Sequence, residues 1–477
     1  MDFYKFFERK NPFFAARCNQ WRRNRAAYSG GKEYIETALI RHLSEIEEEF
    51  SERKKRAYYC NWPRKIARII TQYVLSVPPE RDNTDPAFIE DWSRTGLRTN
   101  EVMRQFSTML NVFGCAWLAV DMPFFEGPKS RADELRERLR PYVTALGPLA
   151  VPDWCYGPDG KLLWVITEEV TIDNSDPFRD PQTKTIRKLW ERDKVTVYTR
   201  LSDGTMQESP PIAHNLGVVP FVRAVEVDGY GMQSNHWFDD VVAISDAMLN
   251  NESEAQMNVV KQMFGLLVVS ESFVLNSTSQ DDKEDTSSGK TTLSTVIGRS
   301  AAVIESPEDR GITRYISPSG VENSTIRNEN LALLRAMFET VGLATSKDTK
   351  MVESAEAKLW DFQNIEQYMR SRADQLEQCE LQAWQLLQAW QPALSVPNVS
   401  YNRNFAVLDL KESIAALLEL SSFNGENDTY QKEVGKTALS LLNRLRQLPA
   451  EAQEEILKGI DASTVSPNVD GSGVVEK

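Results

Sequence analysis

The chain has 477 residues, is 41% hydrophobic and 26% charged, and carries a formal net charge of −14. With glycine counted, its apolar share approaches the ~45–50% of ordinary globular proteins, and its length allows about three domains with real cores. The longest apolar run, Val112 to Val120, falls well short of the ~20 residues of a membrane helix.

The start, MDFYKFFERK, lacks the apolar core of a secretion signal. Cys18, Cys60, Cys115, Cys155 and Cys379 lie far apart, with no CxxC or CxxH spacing, so neither a disulfide framework nor a zinc site is expected. The expectation is a reduced, intracellular-type protein. His42, His214 and His236 sit in no nucleophile motif, and general acid–base chemistry most often uses histidine. They are expected to be surface or hydrogen-bonded imidazoles, and the chain is expected not to be an enzyme.

Residues 1–70 carry sixteen Lys or Arg against nine Asp or Glu, a net of +7, which leaves −21 on residues 71–477. Such asymmetry speaks of partners and solubility rather than of fold. A basic segment meets nucleic acid, an acidic neighbour or only solvent.

In chain order, the N-terminal quarter reads as helical. Tyr28-Ser-Gly-Gly-Lys-Glu-Tyr34 predicts a Gly–Gly turn between aromatics, and a charged helical stretch follows to about Arg56. Pro63 opens another helix, a favoured place for proline, with Ile66, Ile69, Ile70, Tyr73 and Val74 at helical spacing. A third helix starts near Thr99 or Asn100, carries Val102, Phe106, Met109, Leu110 and Phe113 on one face, and stops at Gly114.

From Cys115 to Val227 the pattern changes to strands, with candidates at 116–121, 162–170, 195–201 and 221–227. Turn signals stand at Gly157-Pro-Asp-Gly160 and Ser202-Asp-Gly204. Helix returns at about Asn235, where Phe238, Val241, Val242, Met248 and Leu249 share a face. It runs to about Gln262 through a polar middle, Asn250 to Gln256, and would span ~40 Å.

A short strand-rich module follows, with strands expected at 267–275, 301–305 and 312–316 and a turn at Pro318-Ser-Gly320. The next helix, from near Ser324, repeats Leu334, Met337, Phe338 and Val341 on one face. It should pair antiparallel with the helix before the module. Residues 342–350, GLATSKDTK, read as a polar loop.

A long helix then runs from about Val352 to Trp390, ~58 Å, with Leu359, Trp360, Phe362, Ile365, Tyr368, Met369 and Leu376 spread over more than one stripe. Such a surface must pack against several elements or neighbouring subunits. A strand near 399–407, helices near 408–420, 428–448 and 450–460, and a disordered tail complete the reading.

Ser287-Ser-Gly-Lys-Thr-Thr-Leu293 partly matches a phosphate-binding loop, which needs glycines so that backbone amides can wrap the phosphates. Glu284 stands where the first glycine belongs, and Asp281, Asp282 and Asp285 add charge that repels a nucleotide. An exposed polar loop is the simpler reading. The carboxylate runs Glu47-Glu-Glu49, Asp239-Asp240 and Asp281-Asp282 read as solvated faces rather than metal sites.

The order of elements resembles the portal proteins of tailed double-stranded DNA bacteriophages. The resemblance rests on Tyr28–Tyr34 followed by Arg56-Ala-Tyr-Tyr-Cys-Asn61 and an apolar helix, and on His214-Asn-Leu-Gly-Val-Val-Pro-Phe-Val222, similar to the family's segment before the stalk. It rests also on the run of helix, strand module with Ser317-Pro-Ser-Gly320, helix, loop and long helix, and on a helical C-terminal region containing Gly435-Lys-Thr.

The resemblance implies an α+β, portal-like protomer with a strand-rich wing and clip, a helical stem, a long tunnel-side helix and a helical crown. Residues 1–235 with 354–402 would be the wing, 236–262 and 321–343 the stem, 263–320 the clip, 344–353 the tunnel loop, and 403–477 the crown and tail. Ser346, Lys347, Thr349 and Lys350 of the tunnel loop would face DNA. The polar middle of the first stem helix would suit a wet channel, and the long helix would supply apolar contact between neighbours.

The implied partners are further copies in a ring, usually a dodecamer, duplex DNA in the channel, the terminase large subunit, a head–tail adaptor, and major capsid and scaffold proteins. No cofactor and no membrane are implied, and the place would be the virion's portal vertex, assembled in the host bacterial cytoplasm. The competing readings are a nucleotide-dependent enzyme using residues 287–292 and a scaffold or adaptor without a DNA channel.

Overall fold

The computed structural model describes residues 3–43, 45–123, 139–174, 178, 180–226, 236–263, 266–270, 302–305, 314–316, 320–342, 355–403, 405, 432–439 and 450–462. The chain divides into two units, Met1–Phe405 and Ala406–Lys477. The fold is mixed α+β.

The first unit opens with helices α1 (Phe3–Glu8), α2 (Pro12–Ser29), α3 (Lys32–Ala38), α4 (Glu47–Arg56) and α5 (Trp62–Val74). The charged stretch read as one helix is broken between α3 and α4. The break follows Arg53, whose side chain is almost wholly buried and donates to Ile40 O at 2.6 Å and to both Glu45 carboxylate oxygens. Those bonds tie the connecting chain, not a helical backbone.

Pro63 stands in the first turn of α5, whose N-cap Asn61 accepts from Arg64 N at 2.9 Å. Strand β1 (Glu80–Asp82) and helix α6 (Pro86–Glu90) lead to α7 (Thr99–Phe113). Glu101 accepts from the backbone N of Arg98 at 2.9 Å, closing the first turn of α7. Gly114 ends the helix at φ +67°, a left-handed cap where an L side chain is strained.

Strand β2 (Cys115–Asp121) is covered on both faces, hence its continuous apolar run. Ala116, Leu118 and Val120 face a core shared with α7 and the long C-terminal helix, while Cys115, Trp117 and Ala119 face α2 and a second sheet. Its partners are β3 (Tyr142–Leu146) and β10 (Phe221–Val225), both antiparallel, in the order β10-β2-β3.

The second sheet runs β4 (Asp153–Tyr156), β5 (Leu162–Asp173), β6 (Gln182–Glu191), β7 (Lys194–Arg200), β8 (Met206–Glu208), with β9 (Ile212–Ala213) also on β7. The sequence marked β2, β5, β7 and β10 but not β3, β4 or β6. Then come α8 (Trp237–Met263), the strands β11 (Leu266–Ser270), β12 (Ala302–Glu305) and β13 (Arg314–Ile316), and α9 (Val321–Thr340). Helix α10 (Ala355–Trp390) and β14 (Asn398–Ser400), which pairs with β1, complete the unit.

Ile365, Met369, Ala373, Leu376, Ala383, Trp384 and Leu387 of α10 are buried in the core of the first unit itself. The apolar contact between neighbours expected of the long helix is therefore not available from these residues, which are already spent on β2, β10 and α7. Leu359, Trp360 and Phe362 fall outside the residues whose side chains are described.

In the second unit, residues 432–439 are helical and α11 spans Ala450–Ala462. A Cβ on Gly435 would stand 3.2 Å from Ile460, so the two helical segments approach closely there. The helix expected near 408–420 and the tail from 463 lie outside the described residues.

Candidate functional site: the helical hairpin and its buried root

Helices α8 and α9 pack antiparallel, as their periodicity predicts. Gln262 near the end of α8 neighbours Gly320 at the start of α9, Asn251 donates to Asn330 at 3.1 Å, and Val241 shares a core with Met337. Ile66 and Ile70 of α5 complete that core, which fixes the hairpin's near end to the body of the unit. At the far end β11 pairs parallel with β12 and antiparallel with β13, giving a three-stranded sheet in the segment between the helices.

The root of α8 is a buried polar junction. Asp239, in the first turn, accepts from Arg17 at 2.6 Å and from Asn24 at 2.8 Å, while its other contact is the backbone N of His236 at 3.1 Å. Both Arg17 and Asp239 are nearly excluded from solvent. An acid at a helix N-terminus is also favoured by the helix dipole.

His236 Nε2 lies 2.8 Å from Asn111 O, and its Nδ1 lies 3.4 Å from Glu226. Burial pushes the His236 pKa down, and Arg372 pushes the same way against Glu226, Asn111 and Asp239. Arg372 of α10 donates to Glu226 at 2.8 Å and to Tyr368 OH at 2.7 Å; Trp237 Nε1 donates to the same hydroxyl at 3.1 Å. Burial opposes the charge on Arg372, but Tyr368 and Glu226 hold its pKa above the ordinary value.

The two aromatic segments that carry the resemblance at the N-terminus are brought together against α8. Asn61 donates to Tyr28 O at 2.9 Å, Tyr59 OH to Ala27 O at 3.1 Å, and the rings of Tyr34 and Tyr59 stand 4.6 Å apart. Gly30, at φ +66°, is required: a Cβ there would meet Asn61 at 2.8 Å. Tyr34 OH donates to Asp246 of α8, and Ser245 to Tyr59 OH at 3.3 Å. Burial pushes Tyr59 up to about 12.

Several side chains in the polar middle of α8 are held by neighbouring elements of the same unit. Asn250 accepts from Ile40 N at 2.9 Å and donates to Ala38 O; Ser253 accepts from Arg53 at 3.0 Å; Glu252 accepts from Tyr58 OH at 2.6 Å. These side chains are polar because α3, α4 and α9 present hydrogen-bonding groups to them.

His214-Asn-Leu-Gly forms the turn between β9 and β10. The backbone N atoms of His214 and Asn215 donate to Asp193 O at 2.8 and 2.9 Å, and Asn215 adopts φ 53°. The tunnel-loop residues Ser346, Lys347, Thr349 and Lys350 lie outside the described residues, as do Ser287–Leu293 and Asp281-Asp282.

Sequence reasoning missed the root: Arg17, Asn24, Glu226, Tyr368 and Arg372 carry no mutual spacing, and Asp239 was read as part of a solvated run. Its only local signal was an acid in a first helical turn. Among the described residues no group of His, Cys, Asp or Glu side chains could hold a metal ion, and no helix is long and apolar enough to cross a membrane. No protein-family model and no curated protein matches the chain.

Proposed function

We propose that the chain is the subunit of a portal, a ring at one vertex of a bacteriophage capsid through which double-stranded DNA enters and leaves. The observation that supports the reading best is the antiparallel pair α8 and α9, rooted in a polar junction, carrying a three-stranded sheet in the segment between them, and followed by the long α10. A hairpin so anchored is a rigid post, and closed heterologous contacts between identical posts generate a ring.

The charge fits a conduit. Twelve copies would carry about −168 in total, since each carries −14. Tight DNA binding needs Lys and Arg to displace counterions, which would stall movement. An acidic wall with few cations keeps the duplex mobile, and Lys347 and Lys350, with Ser346 and Thr349, would supply the weak contacts.

In this role the protein is not an enzyme; ATP hydrolysis belongs to the terminase large subunit docked on the ring. A head–tail adaptor, the major capsid protein and a scaffold protein would be the other neighbours, and the portal vertex of the virion the place of action.

Electron microscopy of the purified chain tests the reading. The expected image is a ring of roughly twelve subunits with a central hole wide enough for a duplex. Solid particles, or native mass spectrometry finding only a stable monomer, would overturn it.

A further inference from the structure

We propose that the groove between α2, α5 and α7 is a docking site for an acidic, partly apolar peptide segment of a partner protein. Arg25 of α2, Arg68 of α5 and Arg104 of α7 line this groove of about 620 Å³. All three are exposed, and among the described residues none has a carboxylate or hydrogen-bonding partner for its guanidinium. The carboxylate on the same groove, Glu101, is engaged at the start of α7 by the backbone N of Arg98.

Most other arginines among the described residues are matched, for example Arg17 to Asp239, Arg53 to Glu45, Arg81 to Glu380 and Arg372 to Glu226. Three unmatched guanidiniums drawn from three helices onto one concavity create a positive field that the fold leaves uncompensated. Arginine presents a planar fork suited to carboxylates, so an acidic partner is the complement.

The interior of the groove decides between partners. Leu97, Met109 and Phe113 contribute half-buried apolar surface to it, beside the amide of Gln105. A DNA backbone offers phosphates and sugars but nothing to cover that surface. A peptide bearing carboxylates between apolar side chains satisfies both, with its apolar side chains leaving water and the amide free to meet its backbone. The site stands independently of the portal reading.

The test is fluorescence anisotropy on the full chain with a fluorescein-labelled peptide of alternating Asp and Leu. Controls are an alternating Asp–Ser peptide and a short DNA duplex, and the variant is R25A/R68A/R104A, whose exposed positions leave the core intact. The Asp–Leu peptide is expected to bind, and to bind at least about tenfold more weakly to the variant. The Asp–Ser peptide is expected to bind at least about tenfold more weakly to the wild type. No binding of the Asp–Leu peptide, equal binding by the variant, or equal binding by the Asp–Ser peptide would overturn the proposal. Arginine-dependent binding of the duplex in preference to the peptide would overturn it in favour of nucleic acid. Self-association lost in the variant, without peptide binding, would overturn it in favour of a second copy.

Discussion

Arg17 Nη2 donates to Asp239 Oδ2 at 2.6 Å, joining residues 222 positions apart in a site nearly closed to water. This pair fastens α8 to α2, and the other contacts of the root are arranged around it.

Removing one partner should cost far more than the pair itself contributes. Asp239→Ala leaves Arg17 charged and buried, and urea unfolding should find a loss of about 3–5 kcal/mol. Arg17→Met with Asp239→Leu should recover much of that loss. A single Asp239→Ala change costing less than ~1 kcal/mol would mean that water reaches the site.

The root also sets a pH response. His236 is held neutral because burial lowers its pKa in the folded chain, and burial lowers that of His214 as well. The unfolded chain takes up protons near pH ~6.5 while the folded chain does not, so stability falls as pH drops below that value and levels off below the folded pKa. Urea midpoints measured at about pH 7.5 and about pH 5.5 should differ, and His236→Gln should reduce the difference.

Packing at the hairpin's near end is a third point of control. Met337 is fully buried against Ile66, Ile70 and Val241, so Met337→Ala should destabilise the unit by about 2–5 kcal/mol. Limited proteolysis should then cut α9 earlier than in the wild type. An unchanged pattern would show that the helices are held chiefly by the polar contacts farther along, such as Asn251 with Asn330.

If the chain is a portal subunit, Lys347→Ala with Lys350→Ala should leave ring assembly intact and alter DNA retention or packaging. Packaging assays with the double variant measure this directly, and unaltered packaging would remove the tunnel-loop role.

The parts of the fold legible in the sequence are those whose causes are local. Pro63 marks the start of α5, Gly114 the end of α7, and the Gly–Gly pair the turn between Tyr28 and Tyr34. Strand β2 was legible because both its faces are covered. Strand β6 was not: Gln182-Thr-Lys-Thr-Ile-Arg-Lys-Leu-Trp-Glu191 is mostly half-buried, and Arg187 is buried through an ion pair with Glu168, so no apolar alternation marks it. The hairpin's pairing followed from two helical periods flanking a short strand-rich insert. Its root did not, because Arg17, Glu226 and Arg372 meet only once the whole unit has closed.

The distance along the chain between Arg17 and Asp239 also orders events on the ribosome. At about 5–20 residues per second, the arginine is made roughly 10–45 s before its carboxylate. Until β2 and the strands after it are made, Phe14, Cys18 and Trp21 on the same helix lack the surfaces that will cover them, and α2 is the segment on which a chaperone would act.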